Sequence, residues 1–252
     1  RLRRAFERAA STYDAHSVLQ REVGRRLLEH FEGLVVQPRL IVDLGCGTGG
    51  AFAGLRERFP KARLTGIDIA PAMLRRAVQG VPWWKRALRT DIPSLVCGDA
   101  ERLPLAHAST ELVFSNLMLQ WCDPVRVFAE VARVLRPEGL FMFATFGPDT
   151  LKELRAAFAA AGVDDRVNKF IDMHDLGDML VHAGFADPVM EMEMLTLEYS
   201  TLEALVRELH ALGSRSVAAG ASRGLFGKAR WRMASEDYER HRRSGALPAT
   251  YE

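Results

Sequence analysis

Cysteine is scarce in this chain of 252 residues, which contains three: Cys46, Cys97 and Cys122. Their spacing fits no metal-ligand pattern, and an odd number argues against a framework of disulfide bonds. We therefore expect a reducing, cytoplasmic compartment for the protein.

Long apolar runs and an excess of one charge are also missing. No apolar stretch approaches the roughly 20 residues that a membrane span needs, and no signal peptide is visible. With 34 basic and 32 acidic residues the formal net charge is +2, so the chain as a whole does not predict a polyanionic partner. Because the sequence begins at Arg1 rather than methionine, we expect that the native N-terminus is not included.

The remaining composition is typical of a soluble globular protein, with 48% hydrophobic and 26% charged residues. The length suits one domain with elaborations. We assign residues 1–36 to an N-terminal helical lid and 37–252 to the main domain, with a helical cap insert at about 198–245. One face of the first predicted helix is apolar and is formed by Phe6, Ala9, Ala10 and Tyr13.

Five short apolar runs alternate with helical patterns, which predicts a parallel sheet with helices on both faces. Ligands of such sheets bind beyond the carboxyl ends of the strands, and four of the runs end in polar residues, so we expect one site there. The runs are 40–42 before Asp43, 64–67 before Asp68, 95–97 before Asp99, 112–114 before Asn116, and 140–144.

Helical and extended patterns also fill the rest of the chain. The helices are expected over 71–78 and 124–135 and, beyond the last sheet run, over 150–161, 175–183, 201–213 and 222–243. A strand is expected over 189–197, and another is expected to begin at Ala249.

A glycine-rich loop, Asp43-Leu-Gly45-Cys-Gly47-Thr-Gly49, follows the first run. Glycine lets the backbone turn tightly and approach a ligand closely, and the helix behind it directs free N–H groups at the ligand's carboxylate end. Gly45, Gly47 and Gly50 also fit the dinucleotide fingerprint G-x-G-x-x-G, which alone is a weak signal. The acid directly before the glycines is unhelpful beside a pyrophosphate but suits the ammonium group of an amino acid.

The other strand ends supply groups for a nucleoside. The Asp68 carboxylate can accept from both ribose hydroxyls, and its alternative role is to cap the following helix. Asp99 can accept from an adenine amino group while the Ala100 amide donates to a ring nitrogen, and Ile69 and Met73 can flank the adenine. Together with Asp43, these residues predict S-adenosylmethionine as the cofactor.

Residues outside the sheet runs are weaker candidates. Tyr13 and Gln20 on the N-terminal helix are predicted cofactor contacts, and His16 faces the same way as Gln20; ordinary helix packing is the alternative. Asn116 is predicted to hold the amino-acid part of the cofactor through its backbone. Trp121 fits a core or pocket wall better than a catalytic role.

Four longer segments narrow the assignment: FERAASTYDAH at 6–16 with Gln20, GDAERLPL at 98–105, SNLMLQWC at 115–122 and FGPDTLKELR at 146–155. They resemble the BioC-type methyltransferases of biotin synthesis, which methylate malonyl-acyl carrier protein, and the resemblance covers nearly the whole chain. It implies an α/β class I methyltransferase fold, with a mostly parallel Rossmann-like sheet, an N-terminal helical lid and extra C-terminal helices. The family usually continues past Glu252 with an aromatic strand, so we expect a truncated C-terminus.

The substrate that the resemblance implies has simple chemical requirements. The nucleophile would be the free carboxylate of a malonyl thioester, which is ionised at neutral pH and needs no general base. Catalysis would then depend on in-line placement of the reactants and on exclusion of water. Arg155 is our candidate for pairing with the substrate carboxylate, since arginine offers a bidentate fork; a solvated helix charge is the alternative.

Basic residues form two groups in the sequence. Acyl carrier proteins are acidic, so complementary charge can steer docking, although solvated helix faces are an equal alternative; nucleic acid is disfavoured because no recognition motif accompanies the charge. The first group is Arg207, Arg215, Arg223, Lys228, Arg230, Arg232, Arg240, Arg242 and Arg243, and the second is Arg75, Arg76, Lys85, Arg86 and Arg89 beside Trp83 and Trp84.

Other functions stay open at this level. A relative of the family is a mitochondrial complex I assembly factor that hydroxylates an arginine and shares a very similar Phe-Gly-x-Asp-Thr-Leu segment. Further alternatives are methylation of another small molecule, or a non-catalytic assembly module that binds the cofactor.

Overall fold

The computed structural model describes residues 2–81, 83, 92–163, 168–213 and 227–252. The chain folds as two compact units. The first comprises Arg1–Thr145 and Gly177–Pro188, and the second comprises Phe146–Leu176 and Val189–Glu252.

Three helices open the first unit: α1 (Leu2–Ala9), α2 (Tyr13–His16) and α3 (Val18–Glu29). The prediction of helix up to residue 36 is wrong at its end, because α3 stops at Glu29 and Gly33 takes a left-handed φ of 84°. The predicted apolar face is confirmed, since Ala9 and Ala10 are buried and Tyr13 packs against them.

The first unit contains a five-stranded parallel sheet in the order β3-β2-β1-β4-β5. All five predicted strands are present, which confirms the expected parallel α/β architecture. Since β1 lies between β2 and β4, the ends of these three strands meet at one edge. The strands are β1 (Leu40–Leu44), β2 (Arg63–Asp68), β3 (Ser94–Cys97), β4 (Thr110–Asn116) and β5 (Leu135–Ala144).

Three more helices follow strands of this sheet: α4 (Phe52–Arg58), α5 (Pro71–Gly80) and α6 (Pro124–Val134). Proline stands in the first turn of α5 and α6, where its missing N–H costs nothing. The Asp123 side chain caps α6 by accepting from the Val125 amide at 3.1 Å.

One face of the sheet is covered by α3. Ile41 and Phe114 of the sheet share a buried cluster with Leu27 and Phe31 of α3. Full burial of such side chains contributes about 1.5–3 kcal/mol each, so this cluster fixes α3 across the sheet.

The remaining helices are α7 (Lys152–Ala160), α8 (Met173–His182), α9 (Leu202–Ala211) and α10 (Lys228–Glu239). In the second unit β6 (Leu195–Tyr199) pairs antiparallel with β7 (Leu247–Tyr251). The predicted strand over 189–197 is wrong in its first part. The strand β6 begins only at Leu195, where its pairing with β7 begins, and Val189 is 84% exposed. Part of the predicted helix over 222–243, residues 222–226, lies outside the described residues. None of the described helices is long and apolar enough to cross a membrane.

Candidate functional site

The glycine loop after β1 turns through left-handed conformations at Gly45, Gly47 and Gly49, with φ values of 75°, 53° and 84°. The amides of Gly45 and Cys46 both donate to the Ile67 carbonyl, at 2.8 and 3.1 Å. A Cβ atom added at Gly47 would meet nothing within 4 Å. The loop backbone therefore borders open space, as a cradle for a ligand requires.

Asp68 at the end of β2 anchors this loop. Its Oδ2 accepts from the Gly47 amide at 2.9 Å and its Oδ1 accepts from the Ala70 amide at 2.8 Å. The alternative reading of Asp68 as the helix N-cap is wrong, because the N-cap of α5 is Ala70 and Asp68 binds the amide of that residue ahead of the helix. Each carboxylate oxygen retains acceptor capacity for a ligand hydroxyl. Burial raises the pKa of Asp68.

Asp43 at the end of β1 is buried, and its Oδ2 has no hydrogen-bond partner among the described residues. Burial, and secondarily the charge of Asp68, raises the pKa of Asp43 to about 8. A buried carboxylate without a donor is costly, so this position suits a cationic ligand group.

Two more buried acceptors lie near the end of β4. Within the described ranges, Oε1 of Gln20 and Oδ1 of Asn116 have no partner, while Nδ2 of Asn116 donates to the Gln20 carbonyl at 2.8 Å. Asn116 thus uses its side chain to contact α3, which the prediction of a backbone role did not anticipate. Asp43 is in register with Phe114, so the alternation of strands puts Asp43 and Asn116 on the face that α3 covers.

These three unpaired oxygens, on Asp43, Gln20 and Asn116, test whether the site fits an amino-acid ligand. An α-ammonium group carries three N–H donors and one positive charge, and the three residues offer acceptors and one titratable carboxyl. The residues present therefore fit the methionine part of S-adenosylmethionine.

Tyr13 is half-buried beside this site. Burial, followed by the charges of Asp68 and Asp14, raises the pKa of its hydroxyl to about 12, so the group stays neutral. Met73 is buried in a cluster with Ala9 and Ala10 of the N-terminal segment, and its contact with the adenine stays a prediction. His16 is the last residue of α2 and is half-buried, whereas Gln20 lies in α3. The prediction of one helix on which the two face the same way is therefore wrong, because Ser17 interrupts it.

The loop after β3 carries the predicted adenine contacts. Asp99 is exposed and its Oδ1 accepts from the Glu101 amide at 3.0 Å, while Ala100 is buried. Ile69 on the neighbouring strand end is partly exposed. The chain farther along this loop is clamped by α6, because Glu130 accepts from the Leu103 amide and Arg133 donates to the Leu103 carbonyl, at 2.6 and 3.1 Å.

The sequence reasoning missed several residues that shape the site. Gly24 leaves room for Asn116, since a Cβ there would lie 2.8 Å from Nδ2. Asp14 accepts from the Thr48 hydroxyl of the glycine loop at 2.6 Å. A glycine in the middle of an amphipathic helix was a visible signal for Gly24, whereas the Asp14–Thr48 contact has no local pattern.

Arg155 lies in the second unit. Its guanidinium donates to the carbonyls of Pro148 and Thr150, both at 2.8 Å, and its buried Nε has no partner within the part of the chain that the structure describes. These contacts hold the turn that precedes α7 and leave part of the guanidinium unused.

Residues 42–143 match the methyltransferase domain family. The malonyl-[acyl-carrier protein] O-methyltransferase of Gallionella capsiferriformans is 50% identical over 254 residues, covering 100% of this chain and 87% of that protein. Its counterpart from Laribacter hongkongensis is 49% identical over 255 residues, covering 100% and 86%.

Solved structures share the fold at low identity. A SAM-dependent methyltransferase from Thermotoga maritima has a TM-score of 0.54 and 20% identity, over 78% of this chain and 84% of that chain. Geranyl diphosphate C-methyltransferase from Streptomyces coelicolor, in complex with S-adenosyl-L-homocysteine, has a TM-score of 0.51 and 14% identity, over 90% and 76%.

The domain match and the relatives define an S-adenosylmethionine-dependent methyltransferase, which confirms the predicted cofactor. The likeness to the solved structures confirms the predicted fold class. Through relatives that match it over its whole length, the chain belongs to the malonyl-[acyl-carrier protein] O-methyltransferase family. The roles of the individual site residues stay predictions.

Proposed function

We propose that this protein transfers a methyl group from S-adenosylmethionine to the free carboxylate of malonyl-acyl carrier protein, as a step of biotin synthesis in the cytoplasm. The observation that carries the proposal is the identity of up to 50% with so-named relatives across the full chain. The cysteines of the described residues are all free, in keeping with a reducing compartment.

The strand-end residues hold and orient the cofactor. Asp43, with Gln20 and Asn116, would hold the α-ammonium group, and Asp68 would hold the ribose hydroxyls. Asp99 and the Ala100 amide take the adenine edge, with Ile69, Met73 and Tyr13 around it. When bound, the cofactor supplies a methyl group activated by a positively charged sulfur.

The protein's contribution to the reaction is placement and exclusion of water. A carboxylate with an ordinary pKa near 4 is already ionised at neutral pH, so no residue has to remove a proton. Removing water raises the energy of two opposite charges that neutralise one another as the methyl group moves. Arg155 is the proposed partner of the substrate carboxylate, through the guanidinium atoms that Pro148 and Thr150 leave unused.

For docking, we propose the exposed basic residues Lys228 and Arg232, which lie one turn apart on the same side of α10. Farther along, Arg240 pairs with Asp237 at 2.9 Å and Arg242 with Glu239 at 2.6 Å, which reduces their net charge. An acidic carrier protein would be steered to the less compensated part. Members of the predicted basic groups that lie outside the described residues are Arg215, Arg223, Trp84, Lys85, Arg86 and Arg89.

The test is transfer of label from methyl-labelled S-adenosylmethionine to malonyl-acyl carrier protein, with the acetyl form as control. We expect a base-labile methyl ester on the malonyl form and none on the acetyl form. Equal labelling of both forms, or of neither, would contradict the proposal. Label on neither form, together with an oxygen atom gained by an arginine in a protein substrate, would favour the hydroxylase alternative.

Two variant pairs test the finer assignments. Arg155→Ala is expected to raise the KM for malonyl-acyl carrier protein without changing cofactor affinity, and Lys152→Ala on the same helix serves as the control.

Lys228→Glu with Arg232→Glu is expected to raise the KM for the carrier protein but not for malonyl-coenzyme A. An equal effect on both substrates would remove the docking assignment.

A further inference from the structure

The N-terminal segment, residues 2–29, contacts the rest of the first unit at several points around the strand ends. The Phe6 ring lies edge-on to Trp121, with ring centroids 5.5 Å apart, beyond the end of β4. Ala9 and Ala10 pack on Met73 at the start of α5. The backbone carbonyl of Gln20 is held by Asn116. The segment is therefore tied to strand ends on both sides of the glycine loop.

A fourth contact joins the segment to the loop itself. Oδ1 of Asp14 accepts from the Thr48 hydroxyl at 2.6 Å, and Thr48 stands between two glycines with left-handed φ values. Oδ2 of Asp14 lies 3.8 Å from Nη2 of Arg76 on α5. One carboxylate thus faces both the loop and the helix after β2.

The backbone of Asp14 is held by Arg21. Arg21 of α3 donates to the Asp14 carbonyl at 2.6 Å and to the Ser17 hydroxyl at 2.9 Å. Arg21 therefore fixes the junction between α2 and α3. The backbone of Asp14 is thereby held in a position from which its side chain reaches Thr48.

The neighbouring residue connects this contact with the ligand position. Tyr13 precedes Asp14 and lies within electrostatic reach of both Asp68 and Asp14. A ligand on Asp68 is accordingly bordered by the backbone loop that holds Thr48 and by the turn that carries Tyr13 and Asp14.

We infer that the Asp14–Thr48 hydrogen bond is a latch that holds the N-terminal segment across the glycine loop and controls the rate at which the cofactor leaves. Asp14 is a positioning residue in this role, since it acts through Thr48 and Tyr13. The inference concerns cofactor exchange alone and does not depend on the malonyl substrate.

The test is the dissociation rate of S-adenosylhomocysteine from the full chain, measured by displacement with excess unlabelled ligand. A single hydrogen bond to a charged group is worth a modest free energy, so Asp14→Ala and Thr48→Val should each speed dissociation about 3- to 10-fold. The double variant should dissociate no faster than Asp14→Ala, because the Asp14–Thr48 hydrogen bond is already lost in that single variant. Thr48→Ser keeps the hydroxyl and should keep the original rate.

The control is Glu7→Ala, which breaks the exposed Arg3–Glu7 ion pair on α1 without touching the loop, and it should leave the rate unchanged. Hydrogen exchange gives a second readout: residues 13–20 should exchange faster in Asp14→Ala while the amides of β1 and β4 keep their protection. Unchanged dissociation in the single variants, independent effects in the double variant, or an equal effect of Glu7→Ala would overturn the latch.

Discussion

The Gly47 amide donates to the Asp68 carboxylate across 2.9 Å, which ties the glycine loop after β1 to the end of β2. The same side chain also accepts from Ala70 at the start of α5. The shape of the cofactor loop therefore depends on the acid that is proposed to bind the ribose.

Replacing Asp68 should consequently affect cofactor binding twice, through the ribose and through the loop. Asp68→Ala is expected to weaken S-adenosylhomocysteine binding about 10- to 100-fold, since it removes hydrogen bonds to a charged acceptor. Asp68→Asn, which retains one acceptor oxygen, should lose less. Titration calorimetry provides both values, and an unchanged dissociation constant in the alanine variant would exclude this role.

Asp43 should make cofactor binding depend on pH. Its pKa of about 8 means that it is largely protonated at pH 6, whereas a cationic ligand stabilises its ionised form. Affinity for S-adenosylmethionine should therefore rise from pH 6 to 7.5, by at most about tenfold per pH unit, with release of a proton. Asp43→Asn should bind more weakly and show a flat profile over this range. A parallel slope in the variant would assign the proton to another group.

The same carboxyl should lower stability at alkaline pH. The folded-state pKa lies above the ordinary value of 3.8, so the contribution of Asp43 to stability is fully present below about pH 4 and is lost as pH rises through about 8. At pH 8 we expect the ligand-free Asp43→Asn variant to unfold at a higher urea concentration than the original protein. Its free energy of unfolding should be higher by about 1–3 kcal/mol. Near pH 4 the difference should vanish, and a constant difference at all pH values would contradict the assignment.

A substitution at Gly24 should change cofactor affinity without a large change in the stability of the fold. Replacing glycine by alanine inside a helix normally stabilises the folded protein by about 0.5–1 kcal/mol. Here, however, the new Cβ would lie 2.8 Å from Nδ2 of Asn116. Gly24→Ala should displace that side chain and break its bond to the Gln20 carbonyl, so cofactor affinity should fall while the melting temperature changes little. Gly54 is a matched control, because a Cβ there would meet the Leu28 side chain instead of Asn116. Weaker binding in both variants would point to a general disturbance of packing.

The parallel sheet and its polar strand ends could be predicted because they depend on local pattern. Runs of three and four residues ended at Asp43 and Asp68, and the order of strands and helices then placed these acids at one edge. The contacts of Asp14 with Thr48 and of Asn116 with Gln20 join residues far apart in the chain. Nothing in the neighbouring sequence specifies such pairs, so they could not be predicted.

In the second unit, a predicted strand is shorter in the structure than in the prediction. The strand predicted over 189–197 forms only in its last part, because a strand needs a partner as well as a pattern. In the described residues, β7 faces only Leu195–Tyr199. Pairing, which depends on distant sequence, decided where β6 begins.

Calorimetric titration with S-adenosylhomocysteine and with a nicotinamide dinucleotide, on the original protein and on Asp43→Asn, tests the cofactor site most directly. We expect a saturable signal with the first ligand, a weaker one in the variant near neutral pH, and none with the dinucleotide. A clear signal with the dinucleotide and none with S-adenosylhomocysteine would contradict it.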